Sequence, residues 1–242
     1  MPVIQILPFI STVVMLIFTV DVFKRYLVRR APHFLFWGIG LAMFGLGSFA
    51  EAYLSFSWSR AIFVSWFLFG AILNPAWIGQ GTLYLLVRKS WVHIVSAVLI
   101  LASLVSTGLM LSATINDGGF QLGTPISQQY KAIISPASLN VLLIPTILFG
   151  TTGLILLVGG ALYSAFLFWR KRVLPNRVLG NVLIAAGALS VGSASELTHL
   201  GYGQFLYMGE LIAAVLMYIG FRFAAQPQPD EVPQAAVAVP AN

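Results

Sequence analysis

The chain has 242 residues, 59% of them hydrophobic and only 8% charged, with a net charge of +6 and a mean hydropathy of +0.91. A soluble domain carries about 25% charged residues, so lipid rather than water must cover most of this surface. The absence of cysteine excludes disulfides, thiolate metal sites and cysteine catalysis. The basic balance speaks for membrane topology before nucleic acid, which is not an expected partner.

Seven apolar stretches, at roughly 3–23, 34–53, 61–87, 91–112, 140–169, 178–198 and 204–223, are each long enough for a helical span. The first has no basic residue before it, and Lys24, Arg25, Arg29 and Arg30 follow it. A cleavable signal has the opposite flank, so an uncleaved first helix is expected. Asp21 precedes Lys24 and Arg25 by one helical turn, a spacing that suggests a local ion pair. The second span ends Gly47-Ser48-Phe49-Ala50-Glu51. The third is interrupted by Asn74-Pro75, with Gln80 and Tyr84 beyond the break. Proline removes a backbone donor and kinks a helix, and a kink beside polar side chains can line a cavity.

Residues 113–138 form the one long loop. Asn116-Asp117-Gly118-Gly119 marks a turn within it, and Ile126–Ile134 is expected to form a short interfacial helix with Tyr130 at the interface. The fifth span carries Asn140, Pro145 and Gly150, Gly153, Gly159 and Gly160; these glycines suit close helix packing. The sixth ends Gly192-Ser193-Ala194-Ser195-Glu196, with His199 three residues on, and Glu210 lies a turn or two into the seventh. Residues 1–225 thus read as one transmembrane domain. Residues 226–242, rich in Pro, Ala, Val and Gln, read as a disordered cytoplasmic tail.

The basic residues give a direction. With the N-terminus outside, Lys24, Arg25, Arg29, Arg30, Arg88, Lys89, Arg170, Lys171, Arg172, Arg177 and Arg222 all lie on the cytoplasmic side, and only Arg60 and Lys131 lie outside. The reverse orientation breaks the positive-inside rule at every basic cluster. The expected fold is an all-α integral membrane seven-helix bundle in the cell membrane, N-terminus out and C-terminus in.

An internal repeat is also visible. Both G-S-x-x-E runs end an outward-running helix and follow a basic loop with a proline, Pro32 or Pro175. Phe67-Leu68-Phe69 then corresponds to Phe205-Leu206-Tyr207, and Tyr84-x-x-x-Arg88 to Tyr218-x-x-x-Arg222. Helices 1–3 and 5–7 read as parallel copies joined by helix 4, a 3+1+3 plan with precedent among transporters.

Ionisable groups within a bilayer are costly and mark functional sites by default. Here they are Glu51, Glu196, His199 and Glu210, all toward the outer ends of helices 2, 6 and 7. The repeat makes Glu51 and Glu196 symmetry mates across a shared outer pocket for a cation, a proton or an amine. Asn74, Gln80 and Tyr84 are expected to line a deeper path. The Glu196-x-x-His199 pair has metal-ligand spacing, but carboxylate di-metal bundles need two such pairs and two further carboxylates. No G-x-S-x-G elbow or phosphate loop is present, and the absence of lysine in residues 204–223 excludes a retinal Schiff base there.

The stretch from Phe34 to Lys89 has an apolar helix with Gly38, Gly45 and Gly47, Glu51 at its end, a short loop and an aromatic third helix with Trp66 and Phe69. In these features it resembles the N-terminal seven-helix sensor region of certain bacterial histidine kinases. The whole plan looks like the wider group of seven-helix receptors and transporters. The resemblance implies ligand sensing or transport rather than catalysis. With no kinase domain after helix 7, a sensor is expected to signal through a separate membrane partner. The leading expectation is a non-enzymatic bundle that binds a small solute or ion from the outer face. An accessory subunit of a membrane complex and a membrane metalloenzyme with an outer Glu/His site are the alternatives.

Overall fold

A computed structural model describes residues 5–171, 175–203 and 205–226. Residues 227–242, most of the expected tail, and Arg172 of the third basic cluster lie outside the described residues. The first two helices are α1 (Leu7–Arg29) and α2 (Pro32–Leu54). α1 runs about a turn and a half past the expected end, because Lys24, Arg25 and Arg29 can hold a helical backbone while their long stems carry charge toward water. It stops at Arg30, whose left-handed φ of 49° turns its N–H onto the Tyr26 carbonyl at 2.7 Å. Pro32 opens α2, where a missing N–H costs nothing.

The third span has three parts: α3 (Arg60–Ser65), a π-helical segment (Trp66–Leu73) and α4 (Asn74–Leu86). The cause is Pro75, which cannot donate to the preceding turn. The Asn74 side-chain amide makes up the loss, donating to the carbonyls of Phe69 at 2.7 Å and Gly70 at 2.6 Å. α5 (Trp91–Leu111) leads into the long loop. Within the loop lie a 3-10 turn (Asp117–Gly119), a short α6 (Ile126–Ile133) and an antiparallel bridge between Ile115 and Ile134. Tyr130 of α6 points inward and is only 5% exposed, rather than sitting at an interface. The last three helices are α7 (Pro136–Arg170), α8 (Pro175–His199) and α9 (Phe205–Ala224).

Among the described residues, seven helical stretches are long and apolar enough to cross a membrane: α1, α2, α3 through α4, α5, α7, α8 and α9. With no strand among the described residues, the chain is all-helical and has the make-up of a multi-pass membrane protein. Six spans form a closed ring of neighbours in the order α1, α2, α4, α7, α8, α9 and back to α1, while α5 packs on the outside against α4 and α7. Asp21 does not make the expected local ion pair. Its Oδ2 accepts hydrogen bonds from Tyr218 at 2.8 Å and Arg222 at 3.3 Å, tying α1 to α9 where the ring closes.

Small residues let the helix backbones approach. A Cβ on Gly47 of α2 would fall 2.7 Å from Gly70 Cα of the π segment, and one on Gly79 of α4 would fall 2.9 Å from Gly153 Cα of α7. Lipid offers no hydrophobic drive for helix association, so such contacts are where dispersion and shape hold a bundle together. Gly47→Val should therefore overpack the α2–π contact and cost about 1–3 kcal/mol. A clear fall in unfolding temperature in lipid nanodiscs is the expected result. Gly45→Ala is the tolerated control, since its Cβ would meet only Met15 at 3.4 Å.

Candidate functional site

The glycine contacts set the site. One turn beyond Gly47 on α2 stands Glu51, and one turn before Gly70 on the antiparallel π segment stands Trp66. Their backbones are close enough for the Trp66 indole N–H to donate to Glu51 Oε1 at 2.8 Å. On the other wall, Gly209 of α9 packs so tightly on α8 that a Cβ would fall 3.1 Å from the Ser190 carbonyl. The next residue, Glu210, is thereby held in the interior. Glu51 is 1% exposed and Glu210 8%.

The two carboxyl groups and the Ser48 hydroxyl lie within reach of one another. Yet Glu51 Oε2, Glu210 Oε2 and Ser48 Oγ are all buried with no hydrogen-bond partner. Buried polar atoms are nearly always satisfied, so this cluster calls for a proton shared among the two carboxyls and Ser48, or for a bound group in the adjoining cavity. Glu51 and Glu210 border a cavity of about 430 Å³ lined by α2, the third span, α6, α7, α8 and α9. That volume falls within the range of small-molecule sites. Among the described residues lining it, Glu51, Glu196 and Glu210 are acidic and none is basic. The arrangement offers a cation carboxyl oxygens to bind, and offers an anion no basic partner.

α6 covers the end of the cavity. The Ile126 backbone N–H donates to the Tyr207 hydroxyl at 3.1 Å, and the Ser127 hydroxyl donates to the Gly203 carbonyl at 3.0 Å. Tyr130 lines the cavity with its own hydroxyl buried and unpartnered, and burial pushes that phenol above its ordinary range.

The structure redistributes the residues the sequence singles out. Glu51 and Glu210 come together. Glu196 borders the same cavity but is exposed, so the inward-facing partner of Glu51 is Glu210 and not its repeat mate. His199 ends α8, and its side chain lies outside the described residues. Asn74 lines the cavity while spending its amide on the π segment. Gln80 and Tyr84 do not line it. Gln80 donates to the Val92 carbonyl and to Ser96 Oγ, Ser96 donates to the Tyr84 hydroxyl, and Tyr84 meets His93 Nδ1 at 2.9 Å. This network fastens α4 to α5. Among the described residues, no three of His, Asp and Glu converge as metal ligands. Trp66, Ser48 and Tyr130 are site residues the sequence reading missed as such. The usable signal was Ser48 within the G-S-x-x-E motif, one turn before Glu51.

No family model, curated protein or solved structure matches the chain.

Glu51 also has a structural duty that can be separated from its charge. Glu51→Gln keeps an oxygen for Trp66, whereas Glu51→Leu leaves the buried indole N–H without an acceptor, a loss of about 1–3 kcal/mol. Thermal unfolding should place Glu51→Leu well below Glu51→Gln, and adding Trp66→Phe to the leucine variant should recover part of the difference.

Proposed function

We propose that this protein is a non-enzymatic seven-helix membrane bundle that binds a small cationic solute or ion, as a sensor or a transporter. The observation that carries the reading is the pair of buried, cavity-lining carboxyls, Glu51 and Glu210, each with an unpartnered oxygen and no basic residue among the described lining. Buried charge is held in proteins by pairing or by a bound ion. The cavity supplies the room for one.

Unfolding temperature in nanodiscs tests this with sodium, potassium, methylammonium and guanidinium as probes. At least one should stabilise the protein, and the Glu51→Gln/Glu210→Gln variant should lose that response. Equal responses from the wild type and the double variant across all four would refute the reading.

We also propose the N-out, C-in orientation, supported by the basic residues gathered at one end of the bundle. The chain lacks cysteine, so single introduced thiols report sidedness cleanly. In intact cells, a membrane-impermeant maleimide should label Ser57→Cys in the α2–α3 connection and spare Ser90→Cys before α5 until the membrane is opened. The reverse pattern inverts the topology.

The 3+1+3 duplication is part of the same proposal. Carrying α1, α2 and the third span onto α7, α8 and α9 maps the ring of neighbours onto itself and leaves α5 outside, which supports two parallel copies. The site is not symmetric, since Glu51 is buried and Glu196 exposed. The metalloenzyme alternative turns on His199, whose side chain lies outside the described residues.

A further inference from the structure

The walls of the cavity differ in a way that says where a ligand enters. Its lining residues on α2, the third span, α6 and α9 are all buried or half-buried. The exposed lining residues are Ile147, Thr151 and Ile155 of α7 and Ser195 and Glu196 of α8. The cavity therefore opens along α7 and α8, beyond the Leu154–Gly192 contact where the two helices meet. The opening starts near the middle of α7, where Ile155 is 64% exposed, and runs toward the Glu51 end. Both helices are long and apolar enough to cross a membrane, and the exposed Ile147, Thr151 and Ile155 lie within the α7 span. The axial route is covered by α6, pinned through Ile126 and Ser127.

The interior also has a recognisable chemistry. Beside the Glu51 and Glu210 carboxyls, the rings of Trp66, Phe67 and Tyr130 form a cluster with centroids 5.8, 6.0 and 6.2 Å apart. Aromatic rings next to carboxyl groups favour an ammonium group, and Tyr130 already has one, Lys131 Nζ, 5.9 Å from its ring centroid. Away from that polar end, Ile78, Leu154, Leu157, Ala188 and Met217 make the lining aliphatic.

We infer that the ligand is a single-chain amphiphile with an ammonium head, which enters from the bilayer along α7 and α8. The head sits between Glu51 and Glu210 beside the aromatic cluster. The chain lies along the aliphatic lining and the α7–α8 opening. Glu196, exposed at the rim, draws the cationic head toward the opening. This rests on the reading of the cavity as a cation site and adds to it the ligand class and the route.

Binding to the protein in phosphatidylcholine nanodiscs, with three probes, tests the inference. Dodecylammonium has head and chain, dodecanol the chain alone, and methylammonium the head alone. Dodecylammonium should bind at least tenfold more tightly than either of the others, after correction for partition into protein-free nanodiscs. Glu51→Gln/Glu210→Gln should remove that advantage over dodecanol. Gly150→Leu should weaken dodecylammonium at least tenfold, because Gly150 lines the cavity on α7 with open space where a side chain would project. Circular dichroism and the unfolding temperature show that each variant is folded. Carboxyl-dependent methylammonium binding with no gain from the chain overturns the bilayer route and leaves the cation site standing. Dodecanol binding as tightly as dodecylammonium overturns the ammonium head. No carboxyl-dependent binding of any cation overturns both readings together.

Discussion

Close approach of helix backbones is the constraint on which this bundle rests. In lipid, an apolar side chain gains little by leaving one hydrocarbon surface for another, so helices associate where small residues let atoms pack densely. Gly47 against Gly70, Gly79 against Gly153 and Gly209 against Ser190 are such places, each joining neighbours in the ring. Two of these three contacts lie within one turn of an acidic side chain. Packing that holds the bundle together thus also fixes where Glu51 and Glu210 stand, and a carboxyl so positioned cannot swing to water.

The break at Pro75 adds the second element. A regular helix through residues 66–73 would present a different face to the interior. The π segment, stabilised by the Asn74 amide, puts Trp66, Phe67 and Gly70 on the cavity wall. π-helical turns occur often at functional sites because they redirect side chains at modest cost. Here the redirected indole donates a hydrogen bond to Glu51.

Much of the architecture is legible along the chain, because a span is a local property: apolar length and flanking charge suffice to find all seven helices. What depends on azimuth around a helix is not legible. Gln80 and Tyr84 lie at a depth suited to a solute path, yet they face α5 and form its polar seam with Ser96 and His93. Glu51 and Glu196 share a motif, but Glu51 is buried and Glu196 exposed. The pairing of Glu51 with Glu210 joins helices that are distant in sequence and carry no shared motif at those positions. Asp21 shows the same limit: local spacing suggests Lys24 and Arg25, and the ring closure supplies Tyr218 and Arg222 instead.

The central claim is that Glu51 and Glu210 act as one cation site, with Glu196 at the rim of the cavity and sharing no ligand contact with them. A double-mutant cycle of methylammonium affinity in nanodiscs tests this most directly, using glutamine at each position singly and in pairs. Residues sharing one ligand show strong coupling, and residues without shared partners add. The account predicts that Glu51→Gln loses about as much affinity as the Glu51→Gln/Glu210→Gln pair, while Glu196→Gln combines additively with Glu51→Gln. Strong coupling of Glu51 to Glu196, with additive behaviour toward Glu210, would contradict it.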